Sequence, residues 1–542
     1  FLQTCQYDEY ILISDYRHKD SPELKVTCRI NNDIAAFTDK LCPKLVPCEH
    51  ERLHILKLAN MTAREFILRE TSIEKRITQP GAAYLTMHLT DINSALFLAS
   101  SLPIRDMDSF GPICERPMPV GANRGASGID GTVASASGFA VGHKKPVTLL
   151  IGDLALLHDI NSLALLKDNP SPVTVVVVNN GGGNIFQRLP VARCEDIFEK
   201  YFLTPHPFDF EKAAAMFGLN YYHPESVEEL IKALEKRAVN ENSTLIEIKI
   251  DAAQNQKNYD KLLIKFAERL DKISRLGNDA CRFGYITSGS PEKPAVLLLH
   301  GFMGDKSDWR DIVPHLENDF YIVAVDLPGH GETFVNGPED FYSMPNTARA
   351  IVHFLESNEI SKTHLLGYSM GGRLGHYLLF AFPGYFEKAV LESSSPGYEV
   401  IGDMRKRIID DDALAERLNH EDFRQFLEYW YGQPLFEGIK NDPERFERLL
   451  QKRLKNQPGE LARSLRYMGT GMMPSLWANL KKIKNQILFI AGGNDDRYKK
   501  IAEEMSDLCP YGEVCIIKDC GHNVHFEKPR EYAEQVKQFL LR

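Results

Sequence analysis

Positive charge never gathers in this sequence. Its 542 residues carry 64 lysines and arginines against 74 aspartates and glutamates, a net charge of -10, and no basic run breaks that balance. A polyanion partner such as a nucleic acid is excluded on that ground. Long apolar runs are missing as well, so no membrane span is expected, although 43% of the residues are hydrophobic. The ten cysteines are scattered, with no C-x-x-C pair, which points to free thiols in a reducing compartment. Internal repeats are absent. An initiating methionine is absent too: the chain starts at Phe1 and runs straight into "YDEYILISDY". It therefore reads as a fragment of a longer polypeptide, in which no signal or transit peptide can be judged. What is present is enough hydrophobic sequence for two or three domains.

Residues 1–75 hold a strand ("YILISDY"), a second strand ("KVTCRI") and charged helical sequence. Across 83–260 apolar strands alternate with helical patterns: "PVTLLIGD", "INSLALLKD", "VTVVVVNN", "PFDFEKAAAMFG", "STLIEIKID". That alternation predicts a parallel α/β layer. An amphipathic helix over 258–276 stops at Gly277-Asn278. It makes 261–281 a linker helix and puts the domain boundary near 277. Over 282–542 the α/β alternation resumes, with a charged helical insertion at about 396–475. The expected fold class is α/β: one parallel-sheet domain, followed by a second α/β domain with a helical lid.

The first chemical feature is a pair of strand ends. "LLIGD" stops at Gly152-Asp153 and "VTVVVVNN" at Asn179-Asn180, with one helix between. A right-handed crossover puts both ends on one edge of a parallel sheet, where ligands bind. Asp153 and Asn180 then offer two hard oxygens. Gly181 and Gly182 let a backbone carbonyl turn to the same point. Oxygen ligands that leave room for phosphate oxygens suit Mg²⁺. Each dipeptide alone would be read as a tight turn; the pair at this spacing resembles the thiamin-diphosphate motif. "SSLPIRDMDSF" (100–110), "NRGASGIDGTVASASG" (123–138), "GDLALLHDINSLALL" (152–166) and "NNGGGNIFQRLP" (179–190) resemble one thiamin family in particular. It is the menaquinone-pathway family of 2-succinyl-5-enolpyruvyl-6-hydroxy-3-cyclohexene-1-carboxylate synthases.

The resemblance assigns 1–75 to part of that family's middle domain and 83–260 to its diphosphate- and metal-binding domain. It implies thiamin diphosphate with Mg²⁺ (or Mn²⁺) as cofactors, the metal held by Asp153, Asn180 and the carbonyl of Gly182, with Gly152 at the same turn. Ile129 would bend the cofactor, while Ile185, Phe186 and Leu189 would wall the reacting carbon. Ser101, Arg105 and Arg124 would face the acidic substrates isochorismate and 2-oxoglutarate, which suits a guanidinium's two-pronged grip on carboxylate. Ala99-Ser100 stands where the family usually has Gly-Asn. The family's pyrimidine-binding domain has no room upstream of residue 83. The chain is therefore expected to hold the diphosphate half of an active site, and to act as a homo-oligomer through this part.

The second feature is "THLLGYSMGGRLGHYLL" (363–379), a strand, then Gly-x-Ser-x-Gly around Ser369, then a helix. This is the setting of a nucleophile elbow. Three pieces accompany it in the chain order serine, acid, histidine: a His-Gly turn in "LLLHGFMGD", Asp495 at the end of "ILFIAGGNDDRY", and His522 in "CIIKDCGHNVHFEKP". His522 would accept the Ser369 proton and Asp495 would hold the imidazole; Asp496 is the weaker candidate for the acid. The N–H groups of Phe302 and Met370 would face developing negative charge. His300 and His525 read as structural. A triad alone does not fix the reaction.

"LLLHGFMGDKSDW", "VDLPGHGET", "GYSMGGR" and "GHNVHFEKP" resemble the α/β-hydrolase-fold family of 2-succinyl-6-hydroxy-2,4-cyclohexadiene-1-carboxylate synthases, which act on the first family's product. That resemblance implies a lyase: proton abstraction, then pyruvate elimination. Arg373 and Arg407 match positions that grip carboxylates, and Tyr368 and Trp430 match pocket positions. Ordinary core packing or a solvated charge is the plain reading of each. The fusion resembles plant-type multifunctional proteins of menaquinone or phylloquinone biosynthesis, without the dehydratase those usually carry between the two. The expected location is soluble: cytoplasm in a bacterium, plastid or peroxisome in a plant or alga. The alternatives are a serine carboxylesterase or C–C bond hydrolase joined to a non-catalytic thiamin-fold module, and a binding protein without catalysis.

Overall fold

The computed structural model describes residues 9–15, 26–45, 60, 63–64, 66–71, 75–112, 118–123, 128–237, 242–275, 280–337 and 339–542. The chain forms two compact units, Phe1–Leu58 and Ala59–Arg542. In the first, β1 (Ile11–Ser14) pairs in parallel with β2 (Cys28–Asn31). Helix α1 (Ile34–Leu41) follows, its first turn capped by the Asp33 carboxylate, which accepts from the Ala36 N–H at 2.9 Å.

The second unit is α/β and contains two large sheets. The first has six strands: β3 (Ala95–Leu98), β4 (Val120–Ala122), β5 (Val147–Gly152), β6 (Val173–Asn179), β7 (Asn220–Tyr222) and β8 (Thr244–Lys249). Their order is β4-β3-β5-β6-β8-β7, and every neighbouring pair is parallel. Every side chain of β6 is buried, and all of β5 but its last. That explains their unbroken valine and leucine runs, since a parallel sheet is covered on both faces. Helices α2 (Gln79–His88), α3 (Leu102–Phe110), α4 (Thr132–His143) and α5 (Val227–Arg237) surround it. The helical pattern at 160–166 is a 3-10 helix.

Helix α6 (Ala252–Arg275) starts earlier than its apolar pattern, because Asp251 accepts from the Gln254 N–H at 2.8 Å and caps the first turn. The stop signal at Gly277-Asn278 lies outside the described residues. No helix of the described residues is long and apolar enough to cross a membrane.

The second sheet orders seven strands as β10-β12-β11-β14-β15-β16-β17. They are β10 (Tyr285–Ser288), β11 (Ala295–Leu299), β12 (Tyr321–Val325), β14 (Thr363–Tyr368), β15 (Phe386–Glu392), β16 (Gln486–Gly492) and β17 (Gly512–Ile517). Only β10 runs antiparallel to its neighbour. Two short strands, β9 (Cys281–Arg282) and β13 (Phe334–Val335), pair beside it. Helix α7 (Met370–Ala381) follows β14. The insertion after β15 contains α8 (Ile401–His420), α9 (Phe423–Tyr431), α10 (Pro443–Arg453) and α11 (Pro458–Met468). Helices α12 (Asp496–Leu508) and α13 (Pro529–Leu541) complete the domain.

Helix α10 is clamped to the loop after β11. The Arg453 guanidinium meets both Asp308 oxygens, at 2.9 and 2.8 Å, and donates to the Tyr431 hydroxyl at 3.1 Å. Burial pushes the Asp308 carboxyl up, but the Arg453 and Lys452 cations outweigh it and hold it well below its ordinary value. Asp308→Asn leaves the buried guanidinium without its anion, so unfolding at pH 7 should become easier by about 3 kcal/mol, read from the denaturant midpoint. A depressed carboxyl contributes fully above its unfolded range and less as pH falls. Wild type and variant should therefore begin to converge below about pH 4 and come together only as pH falls through the depressed folded value.

Candidate active sites

In the first sheet β5 and β6 are adjacent and in register, Gly152 beside Val178. Asp153 therefore leaves β5 next to the point where Asn180 leaves β6. Asp153 is 2% exposed. One of its oxygens accepts from the Asn180 N–H at 3.1 Å and the Gly182 N–H at 2.9 Å; the other accepts from the Leu154 N–H at 2.7 Å. Burial raises this carboxyl's pKa, and the backbone donors oppose that. His206 Nε2 lies 3.3 Å from the same carboxylate.

Only glycine fits at 182. Its φ is +143°, and an added Cβ would come within 2.3 Å of the Leu203 carbonyl oxygen. The two asparagines have separate tasks. Asn179 points away and donates to the Phe208 carbonyl at 3.0 Å and to Glu247 at 2.7 Å. Asn180 faces the site.

The oxygens here already converge on one donor. The Asn184 amide nitrogen lies 2.9 Å from the Asn180 carbonyl, 2.8 Å from Asn180 Oδ1 and 3.4 Å from the Gly182 carbonyl. A point that gathers carbonyl and carboxamide oxygens beside a buried carboxylate fits a hard divalent cation. The neighbouring cavity, about 530 Å³, is lined by Ser101, Arg105, Ile129, Gly152, Asp153, Asn180, Gly182, Ile185 and Phe186 among others. Nine residues singled out in the sequence are thus brought together.

Leu189 is not among the lining residues. It ends the 3-10 turn of 184–188 and is 49% exposed, so it does not wall this cavity. Arg124 lies outside the described residues. Arg105 donates to the Ser101 carbonyl at 2.7 Å, and Ser101 takes φ +78°, a costly conformation for a residue with a Cβ. The sequence reading missed Gln79, Asp106 and Asn184, all at the cavity wall. Gln79 donates to Asp106 at 2.5 Å and accepts from the Asn180 amide at 3.3 Å. Burial raises the Asp106 carboxyl to about 6. Asn184 had a local signal, being the third asparagine of "NNGGGN", and Asp106 lay next to Arg105 in "SSLPIRDMDSF".

In the second sheet Ser369 sits at the sharp turn between β14 and α7, with φ +49° and ψ -105°. The turn closes because glycine flanks it: a Cβ on Gly371 would lie 2.2 Å from the Leu299 carbonyl oxygen. Ser369 Oγ is 3.2 Å from His522 Nε2, and His522 Nδ1 is 2.8 Å from Asp495. Asp495 also caps α12 by accepting from the Tyr498 N–H at 3.1 Å. Asp496 begins that helix and is exposed.

The turn after β11 lies against the serine. The Gly371 N–H donates to the His300 carbonyl at 3.1 Å, and a Cβ on Gly301 would stand 3.5 Å from the Ser369 Cβ. Met370 is the first helical residue, so its N–H belongs to the set without an intrahelical partner. His300 and His330 accept from the Leu327 and Met303 N–H groups at 2.8 and 3.0 Å. They shape the turn that carries Phe302. His525 pairs with buried Glu392 at 2.8 Å, and Tyr368 packs between His522 and His525.

Beside the triad lies a surplus of positive charge. Arg373 is 8% exposed and donates to the Thr470 hydroxyl at 2.6 Å. Among the described residues no carboxylate comes within 4.0 Å of it. Burial lowers its pKa to about 10. Arg407 donates to Asp411 at 2.8 Å. Burial lowers the Arg407 pKa, and the Asp411 carboxylate overcomes that to give a net rise. Arg497, absent from the sequence reading, donates to the Tyr398 hydroxyl at 3.3 Å. Arg497 lies over the Tyr498 ring at 5.7 Å, and that ring is 4.6 Å from His522. Arg373 and Arg407 thus share the field of one carboxylate, Asp411, which leaves a surplus of positive charge for an anion. Trp430 packs on Phe302 at 5.4 Å and Phe436 at 6.0 Å, and Phe436 reaches His522 at 6.1 Å.

Fold and site together define an α/β hydrolase carrying a Ser–His–Asp triad, joined to a thiamin-type sheet. A model described as the alpha/beta hydrolase fold matches residues 294–529. One described as the C-terminal TPP-binding domain of thiamine pyrophosphate enzymes matches 116–248. Through its C-terminal half the chain belongs to the family of 2-succinyl-6-hydroxy-2,4-cyclohexadiene-1-carboxylate synthases. It is similar to the Bacillus subtilis protein named "Putative 2-succinyl-6-hydroxy-2,4-cyclohexadiene-1-carboxylate synthase", 34% identical over 48% of this chain and 96% of the relative. A solved structure of MenH from S. aureus is 29% identical, with a TM-score of 0.46, over 48% of this chain and 97% of that one.

The other half is similar to the 2-succinyl-5-enolpyruvyl-6-hydroxy-3-cyclohexene-1-carboxylate synthase of Rubrobacter xylanophilus, 43% identical over 47% of this chain. The chain spans 44% of that relative's length.

Proposed function

We propose that this chain serves menaquinone or phylloquinone biosynthesis. Its C-terminal half eliminates pyruvate from 2-succinyl-5-enolpyruvyl-6-hydroxy-3-cyclohexene-1-carboxylate to give 2-succinyl-6-hydroxy-2,4-cyclohexadiene-1-carboxylate. The observation that carries this reading is Arg373, a buried cation beside the triad with no carboxylate within 4.0 Å among the described residues. Burying an unpaired charge is costly unless a ligand completes the pair, and this substrate is a polycarboxylate.

The triad supplies the base. His522 Nε2 takes the Ser369 proton as Ser369 Oγ removes a ring C–H proton. The proton comes from C2; the released electron pair forms the C2=C3 double bond, the ring's C3=C4 double bond shifts to C4=C5, and the C5–O bond breaks, so that the enolpyruvyl group leaves as enolpyruvate and gains a proton at carbon to become pyruvate. Asp495 holds the imidazole with its proton on Nδ1. The Phe302 and Met370 N–H groups face the negative charge that develops on oxygen. Arg373 and Arg407 grip carboxylates, and Tyr368 and Trp430 line the pocket. No acyl-enzyme forms. The test is pyruvate release from the authentic substrate against turnover of p-nitrophenyl acetate. Ester turnover exceeding elimination would favour the carboxylesterase reading, which the uncompensated arginine speaks against.

We assign to the N-terminal half the diphosphate end of thiamin diphosphate and its Mg²⁺ or Mn²⁺. Asp153, the Asn180 side chain and the Gly182 carbonyl would hold the metal. Ile129 would be the wedge, with Ile185 and Phe186 as the wall. Thiamin diphosphate, when bound, supplies the electron sink for joining isochorismate and 2-oxoglutarate with loss of CO₂. Arg105 and Ser101 would meet these acids, with Arg124 as the family resemblance has it. The complete reaction needs a pyrimidine-binding segment, which is not among the described residues, and a homo-oligomer built through this half. Asp153→Ala should weaken Mg²⁺-dependent thiamin diphosphate binding about a hundredfold in calorimetry. Unchanged affinity would overturn the assignment.

A further inference from the structure

The lid of the second domain is built into the core of the first. Along α8, Ile401, Met404, Arg405 and Ile408 recur at the spacing of one helix face. The three apolar residues, with Met472, belong to the same buried cluster as Leu68, Val227, Leu230 and Ile231 of the thiamin-type half. Arg405, in their midst, is 3% exposed. Its guanidinium donates to the Thr71 carbonyl at 3.0 Å and to Glu228 at 2.9 Å. A second tie joins α11: Arg69 stacks over the Tyr467 ring at 4.4 Å.

The same helix positions both carboxylate grips. Arg407 and Asp411 bond to each other on the adjoining flank of α8. Thr470, which holds Arg373, precedes a glycine pressed on α8: a Cβ at Gly471 would stand 2.7 Å from Ile408 and 2.9 Å from the Met404 carbonyl. Tyr398, the partner of Arg497, also packs on the shared cluster.

We propose that the thiamin-type half holds α8 in place and thereby sets the positions of Arg373 and Arg407, with Arg405 as a positioning residue. The substrate arm of the test rests on the elimination reading above; the exchange arm does not. In the full chain, Arg405→Ala should speed amide exchange across 401–411 about tenfold while leaving α7 unchanged. KM for the elimination substrate should rise about tenfold with kcat within about twofold, and p-nitrophenyl acetate turnover should stay level. Arg405→Lys should recover part of the KM. Glu228→Gln removes one arm of the tie from the opposite side and should give a smaller change of the same sign, which keeps the test open if Arg405→Ala does not fold.

Unchanged exchange in 401–411, or an unchanged KM despite faster exchange, overturns the proposal. A wild-type chain that eliminates no pyruvate sinks the functional reading, while the exchange arm still decides whether the lid is held this way.

Discussion

Ser369→Ala abolishes pyruvate release, lowering kcat about 10⁴-fold. The serine oxygen is the only group the mechanism gives for receiving the ring proton, and it stands 3.2 Å from the imidazole that relays it. Alanine removes that oxygen and disturbs little else. The strained turn is set by its flanking glycines and by the Ser369 N–H, which donates to the Glu392 carbonyl at 2.9 Å. Substrate affinity should survive, because the arginine grips remain. The measurement is steady-state pyruvate formation with substrate binding followed separately. Release that persists in the variant would remove Ser369 from the chemistry and with it the lyase reading.

Arg373→Ala has the next largest effect and the opposite signature. We expect kcat/KM to fall about 10³-fold, carried mainly by KM, since a charge-assisted contact in a desolvated site is lost. Arg373→Lys keeps the charge but not the planar fork, so it should recover only part of the loss. Turnover of p-nitrophenyl acetate, which has no carboxylate to grip, should change little in either variant. A uniform loss on both substrates would mean that Arg373 supports the fold rather than the ligand.

How much of this could be read in advance follows from how local each cause is. The Ser369 turn and the Asp153–Asn180 edge rest on short strings at strand ends, where one strand and the next few residues decide the geometry. Both were legible. The roles of the two adjacent asparagines were not: whether Asn179 or Asn180 faces the site depends on Glu247, 68 residues on. Gln79 lies on a helix outside the quoted strings, and Asp106, though inside "SSLPIRDMDSF", reads there as an ordinary helix charge; both enter the site only through the tertiary fold. Leu189 failed because an apolar residue after a 3-10 turn can point either way, and here it points to solvent.

The Arg453–Asp308 clamp joins positions 145 apart, beyond any pattern in the string. The apolar face of α8 was not singled out: the insertion at 396–475 read only as charged and helical, and nothing in it named a surface it covers. Residues 404–407 are Met-Arg-Lys-Arg, a run that sequence alone would leave in solvent, yet Arg405 is buried and paired.

That face carries an evolutionary consequence. A stand-alone hydrolase can change the outer side of its lid freely, since only water inspects it. Here Ile401, Met404 and Ile408 must stay complementary to Val227, Leu230 and Ile231, so the two halves are bound to drift together. Their union is a shared inheritance of matched surfaces, harder to undo by gene fission than a flexible tether would be.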